Sequence, residues 1–280
     1  MTPVARTLAV LGSPIAHSKS PRLHAAAYRV LGLPWNYSAV EVVEGSLGAF
    51  VNTCGSSWRG LSLTMPLKRE VLPMLASHSQ LVTTVGAANT VLFDDEMAMH
   101  GFNTDVAGIV AALADHGVSA LDRVQILGGG ATAASVLAAV AQLGATSAII
   151  SVRDPERASA LEPLAARLGM ELSIHRLGVS DRSLIVPSAV ISTLPGSAEH
   201  GMAFPQLVRQ QAVLLDVAYE PWPSTLAQSW SEVGGTVVSG LEMLLHQAIG
   251  QVRIFVTGEE GGALPEEARV VQAMREAVGL

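Results

Sequence analysis

A cluster of glycines between an apolar strand and a helical stretch constrains the fold of this chain more than any other feature. Residues 126–133 read Ile-Leu-Gly-Gly-Gly-Ala-Thr-Ala, which fits the pattern G-x-G-x-x-A. Gly128 allows a tight turn out of the strand, Gly130 lets another group approach the backbone, and the small Ala133 permits close packing of helix on strand. The apolar segment 148–152 follows at the spacing of a second parallel strand. These features predict a βαβ unit with a right-handed crossover.

The same loop predicts a site for phosphate groups. A helix that begins directly after the glycines presents free N–H groups and the positive end of its dipole to an anion. We therefore predict that this half of the chain binds a dinucleotide, and a glycine turn in a ligand-free α/β domain is the alternative. The loop residues expected to contact the cofactor are Gly128, Gly129, Gly130, Ala131, Thr132 and Ala133.

Charged residues after the second strand bear on which dinucleotide is bound. An acidic residue here favours the ribose hydroxyls of NAD, whereas arginine favours the 2′-phosphate of NADP. Arg153 and Arg157 lie at this place, and two guanidinium groups can bind a phosphate through paired, charge-assisted hydrogen bonds. The pattern favours NADP. Asp154 keeps NAD open as the less favoured cofactor, and a solvated helix start is the alternative interpretation of both arginines.

The order of strands and helices predicts an α/β fold with two domains. Strand-like and helical segments alternate through the first 105 residues, the βαβ pattern occupies residues 106–239, and helical periodicity returns after residue 240. A length of 280 residues suits two domains of ordinary size. The changes of pattern place domain boundaries near residues 105 and 240, and we predict a Rossmann-type dinucleotide-binding domain of residues 106–239 between them.

Composition and charge argue against several classes of protein. The formal net charge of −7 lacks the basic footprint of a nucleic-acid-binding protein. No segment reaches the roughly 18 uninterrupted apolar residues of a membrane helix. The single cysteine excludes an intrachain disulfide, and the eight histidines form no zinc signature, so we expect no metal. These features predict a cytoplasmic protein, and both a monomer and a homodimer remain open.

Polar residues collect where the predicted strands of the first half end. Ser18 and Ser20 precede a helix, where two hydroxyls can donate to a carboxylate, and capping of that helix is the alternative. A hydroxyl, a lysine, an amide and a carboxylate occupy comparable positions further along. Each of these alone is ordinary turn or surface chemistry. The four residues are Thr64, Lys68, Asn89 and Asp105.

Six motifs in this chain, taken in order, resemble those of the shikimate dehydrogenase family. The resemblance extends from Val10 to Gly258, and so many motifs in one order are hard to reach by chance. The motifs are the loop 12–21, Thr-x-Pro-x-Lys at 64–68, Gly-Ala-x-Asn-Thr at 86–90, Asn-Thr-Asp at 103–105, Asp-Val-Ala-Tyr-Glu-Pro at 216–221 and Gly-Leu-Glu-Met-Leu-Leu-His-Gln-Ala at 240–248.

The resemblance implies a reaction, the reversible reduction of 3-dehydroshikimate to shikimate with NADPH in the pathway to chorismate and the aromatic amino acids. It also implies that residues 1–105, completed by helices in 240–280, form the substrate-binding, catalytic domain. It implies Lys68 and Asp105 as a catalytic pair, which we treat as one coupled unit. Hydride addition to a ketone builds negative charge on oxygen, and a lysine can stabilise that charge and donate a proton while a carboxylate orients it.

Family likeness also implies the residues that bind the substrate and the nicotinamide. The substrate carboxylate is assigned to Ser18, Ser20 and Tyr219. The substrate hydroxyls are assigned to Thr64, Asn89, Asp105 and Gln247. Gly240 and Met243 are predicted to approach the nicotinamide, and packing is the alternative role of Met243.

The chain departs from the family pattern without losing a proposed catalytic group, and two alternative functions stay open. Ser62-Leu63-Thr64 stands where the family usually has Asn-Val-Thr, and His24-Ala25 where it has His-Asn. One alternative is an NAD-dependent quinate/shikimate dehydrogenase, which Asp154 would favour. The other is a non-catalytic dinucleotide-binding sensor, which the presence of both Lys68 and Asp105 disfavours.

Overall fold

A computed structural model describes residues 4–178, 186–196 and 201–280 of the chain. The chain folds as two compact units. The first unit comprises residues 1–104 and 244–280, and the second comprises residues 105–243. Each unit has its own sheet and helices, which gives the mixed α/β fold predicted from the sequence.

The first unit is built on a six-stranded mixed sheet with the spatial order β2-β1-β3-β5-β6-β4. Its strands are β1 (Thr7–Gly12), β2 (Asn36–Glu41), β3 (Trp58–Leu63), β4 (Ser77–His78), β5 (Thr90–Phe93) and β6 (Met99–Phe102). The pairs β1–β2, β1–β3 and β4–β6 are parallel, and β5 pairs antiparallel with both β3 and β6. The carboxyl ends of β1 and β3 therefore lie side by side, next to the start of β5.

Helices connect these strands. The helices before residue 105 are α1 (Ser20–Val30), α2 (Leu47–Val51), α3 (Leu67–Glu70) and α4 (Gln80–Val85). The core is mainly aliphatic because most inward residues of β1, β3 and β5 are leucine, valine and alanine, with Phe93 at the end of β5. Leu11, Leu61 and Val91 are fully buried there together with Leu67, the first residue of α3.

The second unit contains a six-stranded, fully parallel sheet with the order β12-β11-β10-β7-β8-β9. Its helices are α5 (Asp105–Asp115), α6 (Ala131–Gln142), α7 (Pro155–Ala158), α8 (Glu162–Arg167), α9 (Gln206–Gln211) and α10 (Thr225–Ser231). Its strands are β7 (Arg123–Leu127), β8 (Ser147–Val152), β9 (Glu171–Arg176), β10 (Ala189–Ser192), β11 (Val213–Asp216) and β12 (Val237–Ser239). The strand order reverses between β7 and β10, as in Rossmann-type folds, where ligands bind at such switch points. The predicted fold class is confirmed.

Two final helices follow the second sheet. Helix α11 (Gly240–Thr257) begins in the second unit and ends in the first, and α12 (Glu267–Val278) belongs to the first. Arg253 of α11 donates to Glu267 of α12, whose carboxylate also accepts from the backbone N–H of Leu264 at 3.1 Å. Within the described parts of the chain, none of the helices has both the length and the apolar surface needed to cross a membrane.

Candidate functional site

The candidate residues of the first unit lie along one edge of its sheet, where β1 and β3 end and β5 begins. The N–H of Ser13 donates to the carbonyl of Met65 at 2.9 Å, and the N–H of Leu63 donates to the carbonyl of Asn89 at 2.7 Å. A Cβ atom on Gly12 would lie 2.3 Å from Cγ2 of Thr64, so the loops after β1 and β3 approach this closely only with glycine at position 12. The predicted segments around Ser18, Thr64 and Asn89 therefore share one edge.

Lys68 is buried at this edge, with a relative exposure of only 8%. It is the second residue of the four-residue helix α3, and its carbonyl accepts from the N–H of Ala88 at 2.9 Å. That hydrogen bond places Lys68 beside the residue that precedes Asn89. Lysine is almost never buried to this extent without a partner or a function. The interpretation of Lys68 as a solvated surface charge is therefore wrong.

Asn89 is held by hydrogen bonds from three parts of the chain. Its Oδ1 accepts from the backbone N–H of Thr104 at 2.8 Å and from the hydroxyl of Thr90 at 2.9 Å. Its Nδ2 donates to Oγ1 of Thr104 at 2.9 Å and to Oε1 of Gln247 at 3.3 Å. Because a backbone N–H can only donate, the orientation of the Asn89 amide is determined. The fold thus brings Asn89 and Gln247, which are far apart in sequence, into direct contact.

The two serines before α1 have different surroundings. Ser20 is the first residue of α1 and is buried, whereas Ser18 is partly exposed. Oγ of Ser18 accepts from the N–H of Ser20 at 3.3 Å, which orders the turn. Lys19 occupies the N-cap position and makes no side-chain cap bond. The interpretation of Ser20 as the helix cap is therefore wrong.

A buried aromatic and amide cluster lies behind this edge. His24 is fully buried, stacks on Tyr37 with ring centroids 3.8 Å apart, and lies 3.0 Å from the hydroxyl of Tyr28 through Nδ1. Burial lowers the pKa of His24 to about 3, because the charged imidazolium would lose its hydration. Ser62 and Gln251 complete the cluster. Sequence reasoning missed Gln251, although its spacing of one helical turn from Gln247 could have indicated a shared face of α11.

The glycine loop of the second unit follows β7 at the switch point of the sheet. Gly128 has a φ of +105°, and a Cβ there would lie 2.3 Å from Oγ1 of Thr193, the residue after β10. Gly129 is packed against Val152, whereas no atom lies within 4 Å of the Cβ position of Gly130. Gly128 is thus required by the protein itself. Gly130, at the start of α6, leaves space beside the backbone that a ligand can enter.

The remaining residues of the loop open helix α6. Ala131 and Thr132 are partly exposed, and Ala133 is completely buried where the helix packs on the sheet. The loop can hold a phosphate group through its backbone, because the first N–H groups of a helix have no partner within the helix. The contact of each loop residue with a cofactor stays a prediction.

Charged residues surround the ends of β8 and β9. Oδ1 of Asp154 accepts from the N–H of Arg157 at 3.4 Å, so Asp154 caps the short helix α7. The side chains of Arg153 and Arg157 are exposed. Arg176, the last residue of β9, donates through Nη1 to the carbonyl of Arg153 at 3.1 Å. Sequence reasoning missed this third arginine because β9 is an edge strand with weak alternation of buried residues.

The motif residues that follow β11 and open α11 are also placed by packing. A Cβ on Gly240 would lie 2.1 Å from the carbonyl oxygen of Val217, so α11 can begin this close to the end of β11 only with glycine. Met243 is buried, in agreement with the packing alternative. Tyr219 is partly exposed, and Asp105, the first residue of α5, is buried. In the described parts of the chain, no group of three or more side chains could hold a metal ion.

Comparisons with known proteins agree on one family. Residues 10–91 match the family model described as the shikimate dehydrogenase substrate binding domain. The chain is 30% identical over 258 residues to the shikimate dehydrogenase (NADP(+)) of Methanothermobacter thermautotrophicus, covering 90% of each protein. It is similar to the crystal structure of Mycobacterium tuberculosis shikimate dehydrogenase, with a TM-score of 0.83 and 34% identity over 97% of this chain and 99% of the other.

A further solved structure contains bound ligands. It is the shikimate 5-dehydrogenase of Thermus thermophilus in complex with NADP(H) and shikimate. The TM-score is 0.79 at 28% identity, covering 97% of this chain and 99% of the other.

Proposed function

This chain belongs to the shikimate dehydrogenase family, and we propose on that premise that it catalyses the reversible reduction of 3-dehydroshikimate to shikimate with NADPH. The observation that carries the proposal is the buried Lys68, hydrogen-bonded through its backbone beside Asn89 at the edge of the first sheet. A buried lysine in the same part of the sheet edge as the ordered amide of Asn89 suits a reaction in which a carbonyl oxygen gains negative charge and then a proton.

The chemistry divides between the cofactor and the protein. A bound nicotinamide dinucleotide supplies the hydride that adds to the carbonyl carbon. Lys68 donates a proton to the carbonyl oxygen, so that ketone, NADPH and one proton give alcohol and NADP⁺. Asp105 keeps the lysine oriented and acts with it as one coupled unit. In the direction of oxidation, the same amine accepts the proton of the substrate hydroxyl.

The substrate is recognised through its carboxylate and its hydroxyls. Ser18, Ser20 and Tyr219 donate to the carboxylate. The hydroxyls bind Thr64, Asn89, Asp105 and Gln247. Buried amides discriminate well between hydroxylated rings, because an analogue that lacks a hydroxyl leaves a buried polar group without a partner.

The second unit fits a dinucleotide. The space beside Gly130 suits the pyrophosphate, which loop residues Gly128, Gly129, Ala131, Thr132 and Ala133 would surround. Arg153 and Arg157 would hold the 2′-phosphate of NADP, and Gly240 and Met243 would lie near the nicotinamide. We accordingly assign residues 106–239 to the cofactor, and residues 1–105 with 240–280 to the substrate and catalysis. We place the enzyme in the cytoplasm, as a monomer or a homodimer.

The two alternatives are less well supported. The relative from M. thermautotrophicus is named for shikimate and NADP(+), and the NAD-dependent quinate alternative is not favoured. Asp154, the feature that pointed to NAD, caps helix α7. A sensor without catalysis has no need of a buried lysine at the edge of the substrate unit, and Lys68 is buried there.

A substrate and cofactor panel tests the proposal. Wild-type protein should oxidise shikimate with NADP⁺ far better than shikimate with NAD⁺ or quinate with either cofactor. Lys68→Ala should lower kcat by at least about a hundredfold, as expected for loss of a general acid–base. The neighbouring Arg69 is exposed, so Arg69→Ala is the matched control and should turn over normally. NADPH binding without turnover of shikimate would refute the enzyme proposal, and unchanged turnover in Lys68→Ala would refute the role of the lysine.

A further inference from the structure

Gln251 lies at the centre of a buried hydrogen-bond network behind the edge of the first sheet where β1 and β3 end and β5 begins. It is 2% exposed and follows Gln247 by one turn of α11. Its Oε1 accepts from the hydroxyl of Ser62 at 2.9 Å and lies 3.2 Å from Nε2 of His24. Its Nε2 donates to the carbonyl of Asn89 and to Oγ1 of Thr90, both at 3.3 Å. Both ends of this amide are therefore hydrogen-bonded within the core.

The directions of these hydrogen bonds determine how the Gln251 amide is oriented. Tyr37 donates to Ser62 at 2.7 Å, and Ser62 passes its own hydrogen to Gln251. Burial raises the pKa of the Tyr28 hydroxyl, which thus stays protonated and can donate to Nδ1 of His24. The backbone carbonyl of Asn89 can only accept, so the end of the Gln251 amide that faces it is the NH₂ group and the opposite end is the oxygen. Nε2 of His24 faces that oxygen and is therefore the donor, and Nδ1 accepts from Tyr28.

The hydroxyl of Thr90 links Gln251 to the side chain of Asn89 by two hydrogen bonds. The Thr90 hydroxyl accepts from Gln251 and has a single hydrogen, which it donates to Oδ1 of Asn89 at 2.9 Å. Gln251 also binds the backbone carbonyl of Asn89 directly. The amide that faces the substrate is thus held both through its backbone and through its side-chain oxygen.

We propose that Gln251 is a positioning residue for substrate recognition, acting through Thr90 on the amide of Asn89. This inference rests on the proposed function, which places Asn89 on a substrate hydroxyl. Ser62 belongs to the same network. Its hydroxyl supports Gln251 from the side opposite to Asn89. The specificity of this enzyme for the hydroxylated ring therefore depends on a residue that does not touch the substrate.

The first test replaces Gln251 with methionine, which has a similar shape and no hydrogen-bonding amide. We expect kcat/KM for shikimate to fall about tenfold, mainly through KM, as for the loss of one or two oriented hydrogen bonds. KM for NADP⁺ should not change. Gln125→Met is the matched control, because Gln125 is a buried glutamine of the second unit that donates to Ser151 at 3.2 Å. It should leave KM for shikimate at the wild-type value.

A second measurement separates positioning from general destabilisation. Shikimate analogues that each lack one non-reacting hydroxyl are assayed with wild type and with Asn89→Ala. The analogue on which Asn89→Ala has no effect identifies the hydroxyl that Asn89 binds. On that analogue the Gln251→Met penalty should disappear as well. A penalty of the same size on every analogue would overturn the proposal and leave Gln251 a structural residue.

The Thr90 step provides a test that does not depend on the folding of Gln251→Met. Thr90→Val keeps the shape and removes the hydroxyl, and it should reproduce the loss of kcat/KM for shikimate. Thr90→Ser keeps the hydroxyl and should restore most of it. The double variant Gln251→Met with Thr90→Val should be no worse than the more affected single variant, because both changes act on Asn89 through the hydroxyl of Thr90. Wild-type rates in Thr90→Val would overturn the inference, whereas absence of shikimate turnover in the wild type would instead refute the proposed function.

Discussion

Gly130→Ala should separate the stability of this protein from its affinity for the dinucleotide. Gly130 has φ −84° and ψ −165°, a backbone conformation that alanine adopts readily, and no described atom beyond the adjoining backbone lies within 4 Å of the added Cβ. Replacing glycine by alanine at such a site stabilises by about 0.4–1 kcal/mol through the unfolded state. Glycine is the better N-cap, and its loss costs a similar amount. The two effects offset each other, so the free energy of unfolding should barely change.

The same methyl group should weaken cofactor binding strongly. If the pyrophosphate passes beside Gly130, the Cβ occupies the space that its oxygens need. We expect Kd for NADPH to rise at least about tenfold, equivalent to about 1.4 kcal/mol. The assay is calorimetric or fluorescence titration of NADPH, combined with thermal unfolding of the ligand-free protein.

Gly128→Ala is the control, because it should lower the stability of the protein, which Gly130→Ala should leave almost unchanged. At φ +105° an alanine is strained by about 1–2 kcal/mol. Its Cβ would also displace Oγ1 of Thr193, which donates to the carbonyl of Leu127 at 2.9 Å. Losing that hydrogen bond costs about 1 kcal/mol. The variant should lose about 2–3 kcal/mol and about 5–10 °C in Tm. Wild-type affinity for NADPH in Gly130→Ala would refute the placement of the phosphates, and a Tm loss equal to that of Gly128→Ala would refute the geometric argument.

Two further predictions concern charge. The double variant Arg153→Ala with Arg157→Ala should raise KM for NADP⁺ by about 10–100-fold, because charge-assisted hydrogen bonds are lost. KM for NAD⁺ should stay unchanged. Equal losses with both cofactors would contradict the assignment of these arginines to the 2′-phosphate. In the folded protein the pKa of His24 is about 3, below the value of 6.5 for an unfolded chain. Between pH 3 and pH 6.5 the unfolded state therefore binds more protons than the folded state. The free energy of unfolding thus falls as the pH drops below 6.5. From pH 6.5 to pH 5 this amounts to about 1.6 kcal/mol. Urea unfolding of His24→Gln should show a correspondingly flatter pH dependence.

Much of the second unit follows from local sequence. The strand before the glycine loop, the helix after it and β8 are contiguous, and their apolar periodicity reports burial on both faces of a parallel sheet. The edge strand β9 was missed because its side chains are only partly buried and therefore carry little periodic signal. The strand β4, of two residues, and the four-residue helix α3 are too short for any periodicity, and tertiary hydrogen bonds such as that from Ala88 to Lys68 hold them in place.

The glycine loop was identifiable from sequence because turn geometry acts over a few neighbouring residues. The sequence alone could not show that Gly128 and Gly130 have different roles. Only the folded protein shows that Gly128 is required by Thr193, which lies 65 residues away, and that the space beside Gly130 is open. The same holds for Asp154, an ambiguous acidic residue in the sequence that becomes a helix cap in the structure.

Sequence alone determined the fold class, the family and the residue types available for chemistry, because periodicity, turn residues and ordered motifs are local properties of the chain. The tertiary structure decided which of those residues meet. Asn89, Thr104 and Gln247 come from three distant segments, and Gln251 supports them without any motif of its own. Such a network depends on hydrogen-bond directions between side chains far apart in sequence, and only the packing of α11 against the sheet brings those groups within bonding distance.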